Sequence, residues 1–275
     1  MDVLVEGLSF PEGPRWHAGS LWFSDFYTHS VLRVDADGSL ARVAEVKGRP
    51  SGLGFTADGG VLIVSMLDKK LLKLLDGALS TFADLSAHAG GPCNDMLVTK
   101  EGRAYVGNFG FDRHGGEPER TTHLIRVEPD GSVAREADDL HFPNGMAITP
   151  DGGTIIVAET NAGRITSFRI GENGALSGRR IFAVLDGFKP DGLCMDAEGA
   201  VWIADIEGRR VIRVLDGGRI VRTIETGERI PFACMLGGQD LRTLFVCTNS
   251  GFGPKMAEKR DGRIEAVRVD IPGIA

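Results

Sequence analysis

Apolar and polar residues alternate over short runs along this chain, and tight turns rich in Gly, Asp and Pro separate the runs. Ser20–Asp25, Val61–Ser65 and Ala200–Asp205 are typical runs, each rich in β-branched or aromatic residues. Such runs predict strands, whereas no stretch sustains the spacing of an amphipathic helix. The turns between them carry the Asp-Gly and Gly-Gly pairs of hairpins. The chain is therefore predicted to be all-β.

A proline-led turn recurs six times, and each recurrence opens a new set of strands. The prolines lie 39 to 51 residues apart, at Pro11, Pro50, Pro92, Pro143, Pro190 and Pro231. A strand-rich repeat with a period in the forties is typical of a β-propeller. Each repeat divides into four predicted strands. The pattern predicts a six-bladed β-propeller with four antiparallel strands per blade, in which residues 1–275 form a single domain.

The last repeat is one strand short. It ends at its third strand, Ile264–Val269, whereas the strand-like segment Asp2–Gly7 precedes the first repeat and belongs to none. Pairing these two segments would complete the sixth blade and leave no unpaired edge in the ring. We therefore predict that the N-terminal strand closes the ring within the last blade.

The proline-led turns should all lie on one face of the propeller, because strands alternate in direction through each blade. The loops between second and third strands share that face, and both long insertions, Phe109–His123 and Ser250–Arg263, are loops of this kind. Loops on a rigid scaffold often carry function. This face is therefore predicted to hold the site. Five aromatic residues on its loops predict an apolar pocket wall: Phe26, Tyr27, Phe109, Phe111 and Phe252.

One variable position stands two residues before the first apolar residue of each repeat's first strand, and we call it the ring position. Its occupants are Glu12, Ser51, Asn94, Asn144, Asp191 and Phe232. First strands lie nearest the axis of a propeller, so Glu12, Asn94, Asn144 and Asp191 could converge as oxygen ligands. Such a set is typical of Ca²⁺ and acceptable to Mg²⁺ or Mn²⁺. Any one of them could instead be a turn residue that caps its own backbone, but four in register favour a metal site.

Composition and charge restrict the function further. The 42% hydrophobic and 25% charged fractions are ordinary for a soluble protein, and the net charge of −7, with no basic stripe, argues against a nucleic-acid partner. No apolar run reaches the roughly 18 residues of a membrane span, and the N-terminus lacks a signal-peptide pattern. Four cysteines without CxxC spacing predict free thiols. We therefore expect no membrane partner and a cytoplasmic location.

Other catalytic motifs are missing from the sequence. There is no GxSxG elbow, Walker loop or GxGxxG loop, which argues against serine-hydrolase and nucleotide chemistry. The six histidines show no metal-binding spacing. Of these, His114 and His123 lie in the first insertion and could reach the mouth of the site.

Four segments carry a family resemblance when taken together and in this order: Phe10-Pro-Glu-Gly-Pro14, Asn94-Asp95, Phe142-Pro-Asn-Gly-Met146 and Lys189-Pro-Asp-Gly-Leu193. The chain resembles, over nearly its whole length, the senescence marker protein/gluconolactonase/luciferin-regenerating enzyme family. The resemblance implies a six-bladed propeller that hydrolyses lactones with one divalent metal ion in its central channel. The ion is expected to be Ca²⁺, with Mg²⁺, Mn²⁺, Zn²⁺ or Fe²⁺ also possible.

The resemblance also implies roles for individual residues. Glu12, Asn144 and Asp191 would bind the metal, and Asp191 would act as the general base. Asn94 would be a fourth group, at the water on the metal or at the substrate. We further expect Asn108 and Phe109, where the second strand of the third repeat meets its insertion, to contact the substrate.

One departure from the family pattern concerns the substrate. Sugar lactonases of this family carry an arginine two residues before the asparagine that corresponds to Asn94, and a glycine after the following aspartate. Pro92 and Met96 occupy these places here. Pro92 offers no hydrogen-bond donor to a sugar hydroxyl. We therefore expect a small-molecule lactone or related ester that is not a highly hydroxylated sugar lactone. The alternatives are a sugar lactonase, a related propeller phosphotriesterase and a non-catalytic, metal-stabilised binding propeller.

Overall fold

The computed structural model describes residues 1–113 and 115–274, which form six four-stranded antiparallel sheets. The first blade comprises β2 (Pro11–His17), β3 (Ser20–Asp25), β4 (Ser30–Val34) and β5 (Leu40–Glu45). The second comprises β6 (Pro50–Phe55), β7 (Val61–Ser65), β8 (Lys70–Leu75) and β9 (Ala78–Asp84). The third comprises β10 (Cys93–Val98), β11 (Ala104–Asn108), β12 (Thr122–Val127) and β13 (Val133–Leu140).

The remaining blades follow the same order. The fourth comprises β14 (Pro143–Ile148), β15 (Thr154–Glu159), β16 (Arg164–Ile170) and β17 (Leu176–Val184). The fifth comprises β18 (Pro190–Met195), β19 (Val201–Asp205), β20 (Arg210–Val214) and β21 (Ile220–Glu225). The sixth comprises β22 (Ile230–Gly237), β23 (Thr243–Asn249), β24 (Gly262–Arg268) and the N-terminal β1 (Asp2–Leu8). The six-bladed, four-stranded fold is thereby confirmed.

The ring closes as the sequence predicts. β1 pairs antiparallel with β24, with Asp2 opposite Ala266 and Leu8 opposite Gly262. The side-chain amide of Asn249 also donates a 2.8 Å hydrogen bond to the carbonyl of Ser9, just beyond β1. Both ends of the chain therefore stabilise one blade, and that blade has no missing strand.

Helices are short in the part of the chain that the structure describes. Two 3₁₀ turns, Phe26–Thr28 and Thr160–Ala162, follow second strands, and α1 (Met256–Lys259) lies in the second insertion. None of the helices in the described ranges is long and apolar enough to cross a membrane. All four cysteines are buried and unpaired.

The glycine that follows the ring position is explained by close packing of the inner strands. A Cβ added at Gly52 would lie 2.4 Å from the backbone nitrogen of Met96, and one added at Gly145 would lie 2.4 Å from that of Leu193. Neighbouring first strands therefore touch through their backbones at this level, and no side chain fits between them. This contact brings the ring positions of successive blades together.

Acidic residues at the ends of second strands hold the turns that lead into the first strands. The carboxylate of Asp25 accepts hydrogen bonds from the backbone N–H groups of Ser9 at 3.1 Å and Phe10 at 2.6 Å. In the fourth blade, the carboxylate of Glu159 accepts a 2.9 Å bond from the N–H of His141. Asp205 has the same role in the fifth blade, where it binds the N–H of Lys189. These buried carboxylates satisfy backbone donors that would otherwise lack partners.

Candidate functional site

The four ring positions that carry oxygen donors are each the second residue of the first strand in their blade. All four side chains are almost fully buried, with exposed fractions of 7% for Glu12, 5% for Asn94, 8% for Asn144 and 5% for Asp191. Glu12 lies close enough to Asp191 to raise its pKa by charge repulsion, and Asn144 is hydrogen-bonded to Asp191. Donors from the first, fourth and fifth blades therefore meet at the inner ends of their strands.

Burial and mutual repulsion make the carboxylates of the ring hard to ionise. Burial first, and the charge of Asp95 second, raise the pKa of Glu12 from 4.5 to about 8, although a 2.8 Å hydrogen bond from the Gly13 N–H partly offsets this. Burial, followed by the charges of Glu12 and Asp95, raises the pKa of Asp191 well above its ordinary value. Such shifts are typical of carboxylates that share a buried site.

Asp95 is a third carboxylate of this cluster, which the sequence-based prediction missed. Burial raises its pKa, and its charge acts on both Glu12 and Asp191. The signal was present in the sequence, because Asp95 stands where four other blades carry the tightly packed glycine. Aligning only the ring position hid this difference.

The side-chain amides of the ring are oriented by hydrogen bonds to neighbouring blades. The Nδ2 of Asn94 donates a 3.2 Å bond to the carbonyl of Pro143, and its buried Oδ1 has no hydrogen-bond partner among the described residues. The Nδ2 of Asn144 donates to the hydroxyl of Thr160, which in turn donates to the carbonyl of Pro190. A buried amide oxygen without a partner is costly unless a ligand supplies one.

Arg15 lies three residues after Glu12 on β2 and brings a positive charge to the cluster. Its guanidinium donates hydrogen bonds to the carbonyl oxygens of Pro14 at 2.7 Å and Met96 at 2.5 Å. The charge of Arg15 lowers the pKa of both Glu12 and Asp95, though by less than burial raises each of them. The cluster therefore combines the carboxylates of Glu12 and Asp95 with the guanidinium of Arg15.

Asn108 supports the base of the first insertion. It is fully buried, its Nδ2 donates to the carbonyl of His123 at 2.9 Å, and its Oδ1 accepts bonds from the Gly110 N–H and the Thr122 hydroxyl. The structure places His123 on β12, also buried, whereas His114 lies outside the described residues. Substrate contact through Asn108 stays a prediction.

Phe109 begins an apolar cluster beside the ring. Its ring packs against that of Phe142, with centroids 4.6 Å apart, and also against Met66 and Phe26. Its backbone N–H donates to the carbonyl of Pro92 at 2.9 Å, which fixes the insertion to the third blade. Of the five aromatic residues expected in the pocket wall, Phe252 is 58% exposed, whereas the others are buried or half-buried.

A cleft of about 690 Å³ opens on this same face. It lies between the entries to the second and third blades and the two insertions. Its wall includes Arg49, Lys69, Pro92, Asp112, Glu117 and Pro254. The cleft is therefore adjacent to Asn94, because two residues of strand span at most about 7 Å.

Comparison with known proteins decides the family. Residues 10–250 match the family described as the SMP-30/gluconolactonase/LRE-like region. The chain belongs to this family. A 6-deoxy-6-sulfogluconolactonase of Pseudomonas putida is 28% identical over 280 residues, covering 96% of this chain and 92% of the relative. A pentonolactonase of Haloferax volcanii is 27% identical over 256 residues, covering 91% and 85%.

Solved structures of the SMP-30/gluconolactonase family share the fold. A calcium-binding protein, regucalcin, from Agrobacterium tumefaciens superposes with a TM-score of 0.82 at 21% identity, covering 98% of this chain and 94% of the other. At this identity the likeness concerns the propeller fold alone. The family resemblance read from the four segments is confirmed, and two of the relatives are lactonases by name.

The ring fits the divalent ion that membership of the SMP-30/gluconolactonase family implies. Three buried carboxylates with raised pKa values and the unpartnered Oδ1 of Asn94 form a hard, oxygen-rich and negatively charged set. Within residues 1–113 and 115–274, no group of three or more His, Cys, Asp or Glu side chains could hold an ion by itself. Amide oxygens of Asn94 or Asn144 would therefore be necessary members of the ligand set.

Proposed function

We propose that this protein is a divalent-cation-dependent lactonase that opens a sugar lactone at the mouth of its central channel. The observation that carries the proposal is the burial of oxygen donors from four blades at the ring position. The names of two relatives, a sulfogluconolactonase and a pentonolactonase, support lactone hydrolysis. The calcium-binding neighbour supports Ca²⁺ as the ion.

A sugar lactone is a better proposal than the weakly hydroxylated substrate expected from Pro92 and Met96. That expectation considered the two substituted positions alone. The cleft beside Pro92 has charged donors and acceptors from other elements, Arg49 and Lys69 among them. A polyhydroxylated ring could therefore replace its water hydrogen bonds on entering. The relatives named above act on sugar lactones, which favours the same alternative.

The chemistry divides between the ion and the chain. When bound by Glu12, Asn144 and Asp191, a divalent ion would polarise the lactone carbonyl and stabilise the negative charge that develops on its oxygen. Asp191 would accept a proton from the attacking water and return it to the ring oxygen as the acyl C–O bond breaks, which yields the hydroxy acid. The hydrogen bond from Asn144 orients the Asp191 carboxylate for this transfer. The unpartnered Oδ1 of Asn94 is available to the water or to a substrate hydroxyl.

The proposal is tested by hydrolysis assays on chelated protein before and after a single divalent cation is restored. Substrates should include gluconolactone, a pentonolactone, an alkyl δ-lactone and an aryl phosphotriester, each corrected for spontaneous hydrolysis. We expect cation-dependent opening of the sugar lactones. Cation-independent turnover, or turnover of the phosphotriester alone, would overturn the proposal.

Two variants test whether the catalytic site is at Asp191. Asp191→Ala should reduce kcat/KM by about a hundredfold or more, because it removes a ligand and the proposed base together. Asp186→Asn is the matched control, since Asp186 is an exposed carboxylate in the turn that precedes β18. Wild-type rates in Asp191→Ala would place the centre elsewhere.

A further inference from the structure

The cleft beside Pro92 is lined by two cations that have no carboxylate partner among residues 1–113 and 115–274. Arg49 and Lys69 both line it. Within the ranges that the structure describes, neither side chain forms an ion pair, whereas many other arginines of the chain do. The ammonium of Lys69 donates a 3.2 Å hydrogen bond to the carbonyl of Ala89. Both charges are therefore available to an anion.

Arg49 is held in place by its backbone and by an aromatic neighbour. It has a φ of 67°, in the left-handed region, although it directly precedes Pro50. Residues before proline normally adopt extended conformations, and a non-glycine residue at positive φ persists only where its surroundings enforce it. The N–H of Arg49 donates to the carbonyl of Val46, its carbonyl accepts from the N–H of Met66, and its guanidinium lies 4.9 Å from the ring centroid of Tyr27. The guanidinium is therefore pre-positioned at the cleft.

The acidic residues that line the cleft, Asp112 and Glu117, belong to the first insertion and are engaged within it. Glu117 accepts hydrogen bonds from the N–H of Asp112 at 2.9 Å and from the guanidinium of Arg120 at 2.8 Å. Asp112 accepts one from the N–H of Gly115. The insertion is seated against the third blade, because a Cβ at Gly91 would lie 2.4 Å from the carbonyl oxygen of Phe111. The cationic wall thus belongs to the blades, and the acidic wall to the insertion.

The same insertion connects the cleft to the ring. Arg113 of the insertion has a positive charge that lowers the pKa of Asp191. Pro92 in the cleft wall is two residues from Asn94 on the ring, at most about 7 Å along the strand. A ligand whose reacting end is at the ring could therefore extend past Pro92 into the cleft that Arg49 and Lys69 line.

We propose that Arg49 and Lys69 form an anion-binding subsite that selects lactones with a negatively charged oxyanion substituent, such as a sulfonate, phosphate or carboxylate, at the end remote from the lactone carbonyl. The proposal rests on the lactonase function proposed above, and it names the substrate class of that site. An arginine presents a planar fork of donors to such groups, and an ammonium adds a second charge. Sugar lactonases of the family carry an arginine at the place of Pro92. In this chain, Arg49 and Lys69 of the neighbouring blade would supply the positive charge instead.

Binding to a pair of unreactive sugars tests the subsite without any need for turnover. The probes are methyl α-D-glucopyranoside and its 6-sulfate, titrated calorimetrically into the cation-loaded protein. We expect the sulfate ester to bind at least about tenfold more tightly, and the preference to weaken as ionic strength rises. Arg49→Gln should reduce the preference to near unity, and Lys69→Gln should reduce it in part.

Lys47→Gln is the matched control, because it removes one exposed charge from the same turn and Lys47 does not line the cleft. Equal affinity for the two sugars in the wild type would overturn the proposal. An equal loss of preference in Lys47→Gln and Arg49→Gln would also overturn it, since that result would indicate long-range attraction rather than a subsite. Circular dichroism of each variant verifies that it is folded, and if Arg49→Gln is not, Arg49→Lys replaces it, with a smaller loss expected.

Kinetics then separate this proposal from the lactonase proposal. Glucono-δ-lactone and the same ring with a 6-sulfonate or 6-phosphate should differ in KM more than in kcat, with the anionic lactones favoured about tenfold or more in kcat/KM. Arg49→Gln should remove that preference, whereas Lys47→Gln should keep it and leave kcat on the neutral lactone unchanged. If no lactone is opened but the sugar sulfate binds through Arg49, the lactonase proposal is contradicted and the anion-binding subsite is supported. If all lactones are opened equally well, the anion-binding subsite is contradicted and the lactonase proposal is supported.

Discussion

The guanidinium of Arg15 donates a 2.5 Å hydrogen bond to the carbonyl oxygen of Met96. Arg15 belongs to the first strand of the first blade and Met96 to the first strand of the third, so the side chain reaches past the second blade at the inner edge of the ring. It also brings its charge close to Glu12 and Asp95. One residue therefore both connects non-adjacent blades and moderates repulsion among the buried carboxylates.

Replacing Arg15 should destabilise the ring. Arg15→Met leaves the carbonyls of Pro14 and Met96 without their donors, which costs about 1–3 kcal/mol for each group left unpaired. Arg15→Lys keeps the charge but cannot donate to both oxygens with the fixed geometry of a guanidinium, so we expect an intermediate loss. Urea denaturation at constant pH measures both. A free energy of unfolding equal to that of the wild type in Arg15→Met would contradict this role.

The stability of the chelated protein should decrease as pH rises from 4.5 toward about 8. Burial and Asp95 raise the pKa of Glu12 over this range in the folded state, so the unfolded chain loses its proton at lower pH than the folded one. The contribution of Glu12 to the free energy of unfolding is fully present below pH 4.5, the pKa of an ordinary Glu, and is lost as pH rises through the pKa of Glu12 in the folded state. The raised pKa values of Asp95 and Asp191 act in the same direction.

A divalent cation should remove much of this pH dependence, because it stabilises the ionised carboxylates of the folded protein. Tm measured against pH, with chelator and with Ca²⁺, checks both statements. Parallel Tm profiles in the two conditions would show that no cation binds at these groups.

Asp95→Asn tests the contribution of Asp95 to the cluster independently of Glu12 and Asp191. It removes a charge that repels Glu12 and Asp191, so the chelated variant should have a higher Tm than the chelated wild type at pH 8. Its rise in Tm on adding Ca²⁺ should be smaller, because the cluster has lost a negative charge. Differential scanning calorimetry gives both values. A lower Tm in chelator would mean that Asp95 is needed for folding rather than for charge.

The blades, their strand number and the ring position could be predicted because they repeat. Four of the six repeats place Pro, a variable residue and Gly in the same order, and the glycine is required where Gly52 and Gly145 touch the next strand. The closing strand was predictable from the number of strands in each repeat, since the last repeat lacked a fourth strand and the segment Asp2–Gly7 belonged to no repeat. Its observed bounds, Asp2–Leu8, differ by one residue.

Features made by one blade and not by the others could not be predicted in this way. The bond from Arg15 to Met96 depends on how far a long side chain reaches across the ring, which no spacing along the chain reveals. The cleft requires the two insertions to meet residues of the second and third blades, so its wall of Arg49, Lys69 and Glu117 became visible only in three dimensions. The substrate class expected from Pro92 was inferred from one strand, whereas residues of several strands and loops line the cleft.

Removing residues 1–7 should destabilise the whole propeller rather than one end. The deletion exposes the backbone of β24 and opens the ring, so one cooperative transition at lower Tm is expected. The decrease should exceed about 4 °C, since 1 kcal/mol corresponds to roughly 2–4 °C at this size. Val3→Ser is the control, because it changes an exposed side chain and keeps the backbone pairing. An unchanged transition in the truncated protein would contradict this expectation.

The pairing of β1 with β24 also sets an order of events during synthesis. β1 precedes the other strands of the propeller along the chain and β24 follows them, and the bonded residues Ser9 and Asn249 are separated by 240 positions. The other five sheets form from consecutive hairpins and can assemble while the chain is still growing. The sixth blade has to wait for the final strand, and until then the nascent propeller has an open seam. Completion of the ring is therefore a late, non-local step.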